Sequence, residues 1–206
     1  MLLAELINNG ALDAAFLARV DGLAKEFRAT YDLGTVDQLG IIVPDAIAAA
    51  AELERLGLGP FFIAEGDATQ WIEDGRPGHM RGMLGSSYLK HVEMELIEAG
   101  HGTDFYKRDM DPEGRMLIQH LAFFVDDVDA WAAKLTADGY RLRIRGKIYR
   151  GPSQCDFAYI DTIAASGFIT EVFSHRFLGF LAKRPAIVNT ILGRCTRLLG
   201  KKYLQV

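Results

Sequence analysis

Four side chains able to hold a metal ion stand at matching places in this 206-residue chain. Gln38 lies in the run Val36-Asp37-Gln38-Leu39-Gly40-Ile41-Ile42-Val43-Pro44-Asp45. His120 lies at the same point of Ile118-Gln119-His120-Leu121-Ala122-Phe123-Phe124-Val125-Asp126-Asp127. Glu95 and Glu171 lie in two later apolar runs. A neutral imidazole, two carboxylates and an amide oxygen make a mostly oxygen donor set. Such a set suits zinc, nickel, cobalt, manganese or magnesium better than a thiol-seeking metal, and leaves one or two positions for water or substrate. Taken singly, a strand histidine is most often a packed core residue, and Glu93 with Glu95 fits a solvated strand face. Glu171 is harder to explain that way. Ile169, Glu171 and Phe173 share one face, and a carboxylate buried among apolar groups needs a partner.

These positions depend on a repeated set of elements. The runs holding Gln38 and His120 are rich in β-branched and aromatic residues and end in aspartates ahead of helical spacing. Each therefore predicts a strand feeding a helix. The first helix opens at Pro44-Asp45, offers Ile47, Ala50, Ala51 and Leu53 for burial, and ends at Gly57 and Gly59. Strands follow over 60–64, 81–89 and 91–98, with a polar loop over 65–78. The period of two places Glu93, Glu95 and Ile97 on one face of the last strand. The second half repeats the order: a strand over 117–125, a helix over 128–137, and strands over 140–148, 155–161 and 167–174. Val36 aligns with Ile118, Leu53 with Leu135 and Gly57 with Gly139 at one constant offset. The expected fold is α+β, with two tandem βαβββ modules at 35–100 and 116–175 joined by a linker at 101–115. They form a curved, cleft-bearing sheet that brings the four ligands together.

Residues 1–34 form an N-terminal helical extension. Leu12, Phe16, Val20, Leu23 and Phe27 recur at helical spacing, and Asn9-Gly10 separates them from a short leading helix. Residues 176–206 form a basic C-terminal helical extension. After Glu171 there is no acidic residue, while Arg176, Lys183, Arg184, Arg194, Arg197, Lys201 and Lys202 interleave with Phe177, Leu181, Val188, Ile191, Leu192 and Leu198. Pro185 divides this segment into two helices or starts the second. Such a segment serves as a packing or dimer helix with a solvated basic face, or meets an acidic membrane surface or a polyanionic ligand.

Bulk properties narrow the function. A net charge of -4 gives no reason to expect nucleic acid. Cys155 and Cys195 form no CxxC pair, so neither a disulfide framework nor a cysteine zinc site is expected. The first residues lack the basic region of a signal peptide, and no apolar run approaches the ~20 residues of a membrane span. A reducing cytoplasm is the expected location. GxGxxG and Walker A patterns are absent, so no nucleotide cofactor is expected.

The paired halves, opened by VDQLGIIVPD and IQHLAFFVDD and closed by MELIEAG and ITEVFSH, resemble the vicinal oxygen chelate superfamily. This is the glyoxalase, bleomycin-resistance and extradiol dioxygenase group. The resemblance covers about Val36 to His175. It implies one metal ligand from the opening strand and one from the closing strand of each half, here Gln38, Glu95, His120 and Glu171. Glutamine at the first position resembles the eukaryotic type of glyoxalase I. Methylmalonyl-CoA epimerase is similar but commonly has histidine there, and the chain departs from it. Extradiol dioxygenases hold iron with two histidines and a carboxylate, and Gln38 leaves that triad incomplete.

The resemblance also implies a reaction. Glyoxalase I and the epimerase both remove a proton next to a carbonyl, with one divalent metal ion as Lewis acid. Glu171 is then the expected base, with Glu95 as its counterpart. Ile42, Ile97, Phe124 and Phe173 would share the ligand face and suit an acyl, aromatic or steroid-like carbonyl substrate. The alternative is a non-catalytic small-molecule-binding protein of the bleomycin-resistance type. A homodimer is expected, because open sheets of this kind leave pairing edges.

Overall fold

A computed structural model of the chain describes residues 1–7, 11–183 and 185–206. The expected break at Asn9-Gly10 and the basic Arg184 lie outside the described residues. The N-terminal extension contains α1 (Leu3–Leu6), α2 (Ala14–Gly22) and α3 (Lys25–Tyr31). The periodic stretch from Leu12 to Phe27 is thus two helices. The extended Leu23 ends the first, and Ala24, at a left-handed φ of 49°, is the N-cap of the second.

The first half runs β1 (Gln38–Val43), α4 (Ala46–Arg55), β2 (Phe62–Asp67), β3 (Gln70–Glu73), β4 (Arg76–Pro77), β5 (Arg81–Leu89) and β6 (Val92–His101). The second runs β7 (Leu117–Phe124), α5 (Val128–Ala137), β8 (Arg141–Arg150), β9 (Ser153–Asp161), α6 (Ile163–Ser166) and β10 (Ile169–Phe177). The aspartates after the opening strands are helix caps. Asp45 accepts the Ala48 N–H at 2.8 Å, and Asp127 accepts the Ala130 N–H at 2.9 Å. Each satisfies a donor that the first helical turn leaves unpaired.

All strands join one curled sheet of order β12-β2-β5-β6-β1-β7-β10-β9-β8-β3-β4, where β12 is Leu204–Gln205. Both halves use the same internal order, and the opening strands β1 and β7 lie antiparallel at the centre. One face is covered by helices and buries Leu39, Ile41, Met94, Leu96, Leu121, Phe123 and Val172. The alternate residues of the same strands line the other face. There Ile42, Ile97, Ala122, Ile169 and Phe173 cluster with Trp71, Phe105, Tyr106, Phe157 and Tyr159. The split follows from the two-residue strand period.

Two further regions depart from the sequence expectation. The polar stretch 65–78 contains the β3–β4 hairpin, and β3 leaves its own half to pair with β8, Trp71 opposite Gly146. Four residues around one tryptophan are too short to display an alternating pattern. Arg150 on β8 fastens the crossing by donating to the Asp67 carbonyl at 2.7 Å, and the Tyr149 N–H donates to Thr69 Oγ1 at 2.9 Å. The C-terminal extension holds one helix among the described residues, α7 (Ala186–Leu198), with Pro185 at its N-cap. Before it, β10 turns through Leu178 and Gly179, both at positive φ, into β11 (Phe180–Leu181). A two-residue turn of this handedness matches the twist of a hairpin. Among the described residues, no helix is long and apolar enough to cross a membrane.

Candidate metal centre

Glu95, Gln38, His120 and Glu171 stand on β6, β1, β7 and β10, four consecutive strands of the sheet. Gly40 lies at their middle, in register with Glu95 on one side and His120 on the other. It has no side chain to separate them. The His120 ring fills that space so fully that a Cβ on Gly40 would lie 1.8 Å from Cε1 and 1.9 Å from Nε2. A bulge sits beside this point. The pairing passes from Gly40–His120 to Ile41–Ile118 and leaves Gln119 as the extra residue of β7. Bulges re-aim neighbouring side chains, and here the freed Gln119 becomes a partner of the histidine.

His120 Nδ1 is 3.2 Å from Gln119 Oε1, and Gln119 Nε2 donates to Asp109 Oδ2 at 2.7 Å. A carboxylate only accepts, so Asp109 fixes the amide with its oxygen toward the ring. Nδ1 therefore carries the proton, and Nε2 presents a lone pair to the cavity. Nε2 lies 3.1 Å from Glu171 Oε2 and 3.9 Å from Glu95 Oε2. One donor atom from each of the three residues falls within 4.8 Å of the others. The close approach to Glu171 lacks hydrogen-bond geometry. Both Nε2 and Oε2 are buried without a hydrogen-bond partner.

The electrostatics follow from burial. Desolvation pushes His120 down to about 4, against the smaller pull of the Glu95 charge. Desolvation and then the Glu93 charge push Glu171 well above the usual carboxylate range, opposed by a hydrogen bond with Tyr159. Buried charge without a countercharge is costly, and a divalent cation would supply the countercharge. The orphaned pair, the neutral imidazole and the carboxylates fit such an ion, with oxygen and nitrogen donors of the zinc-to-magnesium range.

The site opens into a cavity of about 190 Å³ whose walls include Gln38, Glu95, Glu171 and Phe173. Ile42 and Ile97 lie in the apolar cluster of the same face, and Phe124 meets Phe173 edge-on with centroids 5.7 Å apart. Sequence reading missed several wall residues: Trp71, Tyr106, Phe157 and Tyr159. Tyr106 donates to Tyr159 at 3.1 Å, and the Tyr159 ring packs edge-on against His120 with centroids 4.8 Å apart. Glu93 corrects another expectation. It is buried, not solvated, and its carboxylate accepts from Ser86, from Tyr88 at 2.9 Å and from Asn189 of α7 at 3.4 Å. Strand alternation placed Glu93 on this face, but the covering helix that buries it comes from almost a hundred residues away.

No curated protein matches the chain. Among solved structures, a hypothetical protein from Bacillus halodurans C-125 is 14% identical, with 73% of this chain and 95% of that one covered and a TM-score of 0.46. Methylmalonyl-CoA epimerase from Mycobacterium tuberculosis is 22% identical, with coverage of 74% and 89% and a TM-score of 0.43. A mutant 4-hydroxymandelate synthase from Streptomyces coelicolor is 11% identical, with coverage of 81% and 56% and a TM-score of 0.48. The family model of the glyoxalase/bleomycin resistance protein/dioxygenase superfamily matches residues 37–159, which include Gln38, Glu95 and His120 and stop short of Glu171. That match spans more than half of the sequence, and the chain belongs to this superfamily.

Proposed function

We propose that the protein is a divalent-metal-dependent isomerase or lyase that removes a proton next to a substrate carbonyl. One observation carries the reading: the buried Nε2 of His120 and Oε2 of Glu171 converge near Glu95 with no hydrogen-bond partner. Gln38, Glu95, His120 and Glu171 would hold the ion, which when bound supplies Lewis acidity at the carbonyl oxygen. Glu171 is the base. Burial raises its affinity for a proton, and a general base works best when its pKa approaches the working pH. Glu95 holds or returns a proton from the neighbouring side of the cleft. The hydroxyl of Tyr159 orients Glu171, and Tyr106 orients that hydroxyl in turn. The aromatic walls exclude water from the reacting carbon. The cavity falls below the ~300–1,000 Å³ of drug-sized sites, which suits the reacting end of a small acyl or carbonyl compound.

The test begins with elemental analysis of the wild type beside a His120→Ala, Glu171→Ala double variant. About one divalent ion per chain is expected, lost in the variant. Thioester epimerisation and hemithioacetal isomerisation are then assayed with Glu171→Gln, which should keep the fold and lose about 10²–10⁴-fold in turnover. Wild-type protein that takes up no metal after loading would redirect the reading to a ligand-binding module. A full-rate Glu171→Gln enzyme would remove Glu171 as the base.

A further inference from the structure

The C-terminal helix is oriented against the usual rule. α7 presses Asn189, Gly193 and Thr196 onto the protein. Gly193 approaches so closely that a Cβ there would lie 2.7 Å from the Phe61 carbonyl oxygen. Three of its large apolar residues point outward, Ile187 at 59% exposed, Ile191 at 52% and Leu198 at 87%, while Val188 and Leu192 are half-buried. Helical spacing places these three on one stripe together with Arg194. The β10–β11 hairpin adds a second apolar projection in the same stretch of chain, with Phe177, Leu178, Phe180 and Leu181 exposed around its turn. A soluble surface leaves single hydrophobic residues exposed, and contiguous ones mark an interaction site.

Charge indicates what meets this surface. Residues 172–206 carry seven basic side chains and no acid, while the first 171 residues hold 16 basic against 27 acidic side chains, a net −11. Arg176, Lys183 and Arg197 are partly engaged, by the Asp126 carbonyl, Asp37 and Glu54. Arg194, Lys201 and Lys202 make no ion pair among the described residues. A second copy docked through the same patch would bring no acidic side chain to these cations, because a twofold contact joins the patch to itself and residues 172–206 hold no acid. Apolar residues interleaved with unpaired cations fit a negatively charged lipid surface. There the apolar groups enter the acyl boundary and the cations remain at the phosphates.

We propose that the outer face of α7 and the β10–β11 hairpin dock the protein on anionic membrane surfaces. The test is flotation of the full chain with phosphatidylcholine vesicles, with and without phosphatidylserine. Binding should require phosphatidylserine and weaken as salt rises. Replacing Arg194, Lys201 and Lys202 together by serine should lower vesicle affinity by about 100-fold, since each surface cation contributes roughly a factor of five. A Leu178→Ser, Phe180→Ser variant should also lose binding, and unchanged melting temperatures would show that both variants fold. No flotation of the wild type, or equal flotation of the charge variant, overturns the proposal. A wild-type dimer that an Ile187→Ser, Ile191→Ser variant dissociates, without vesicle binding, would instead assign the face to a second copy.

Discussion

Gly40→Ala tests whether the candidate centre is built as described. Gly40 has no positive φ, so alanine suits its backbone and the penalty is steric alone. An added Cβ would lie 1.8, 1.9 and 2.3 Å from Cε1, Nε2 and Nδ1 of His120. Ordinary contact starts near 3.4 Å, so the ring must move by roughly 1.6 Å. Sites of this kind tolerate about 0.5 Å, and the displacement moves Nε2 away from the 3.1 Å approach to Glu171. Overpacking of a core costs about 1–3 kcal/mol, which in a chain of this size lowers the melting temperature by roughly 2–12 °C. Metal affinity, titrated against a chromogenic chelator, should fall by at least about 100-fold, the upper range for losing one supporting contact. Melting is measured with chelator present, so that packing and metal effects separate. In a His120→Ala background the new methyl enters vacated space, and Gly40→Ala should cost close to nothing. The resulting coupling is expected at about 1–3 kcal/mol. Wild-type metal affinity in Gly40→Ala, or an equal penalty in both backgrounds, would refute the reasoning.

Three further outcomes are expected. A chelator should lower the melting temperature of metal-loaded protein by on the order of 10 °C when the ion is at about 1,000 times its Kd, because ligand linkage then contributes about 4 kcal/mol; no shift would mean no ion bound to the folded state. Asp111 is held down to about 2, first by the paired hydrogen bonds from Arg115 at 2.8 and 3.0 Å. Its folded value lies below the unfolded one near 3.9, so its contribution is full above about pH 4 and disappears as pH falls toward 2. Asp111→Asn should therefore melt below the wild type at neutral pH, with the gap closing in acid; a gap that persists in acid would exclude this origin. Asn189→Ala removes the donor at 2.5 Å from Ser86 and should cost about 1–3 kcal/mol in thermal unfolding. An unchanged melt would separate α7 from the Glu93 network.

The doubled architecture was legible because both halves write the same signals at one offset: an apolar run, an aspartate cap and a helix closed by glycine. The period of two put Glu95 and Glu171 on the correct faces, since strand alternation survives any curvature of the sheet. What remained hidden depends on contacts across strands. Nothing local marks Gly40 as the space for the His120 ring, or Gln119 as the extra residue of a bulge, because both depend on the antiparallel register of β1 with β7. The β3–β4 hairpin escaped because its pairing partner is in the other half. The direction of α7 was equally unreadable: the interleaving of Val188, Ile191, Leu192 and Leu198 with basic residues does not say which of them face the protein, and only the close packing at Gly193 shows that the side holding Asn189 and Thr196 faces inward.

The route taken by the chain between β2 and β3 has a mechanical consequence. These strands sit near opposite ends of the sheet path, yet only Ala68 and Thr69 separate them in sequence. Three backbone steps reach about 10 Å at most, so the two ends of the curled sheet are tethered at that separation. Packing usually sets the gape of a half-barrel, and packing can loosen with temperature or ligand. Here covalent bonds cap it on one rim, and the Arg150 bond to the Asp67 carbonyl tightens the same rim. Parting the two ends of the sheet at this rim is therefore closed to a bound molecule as a way in.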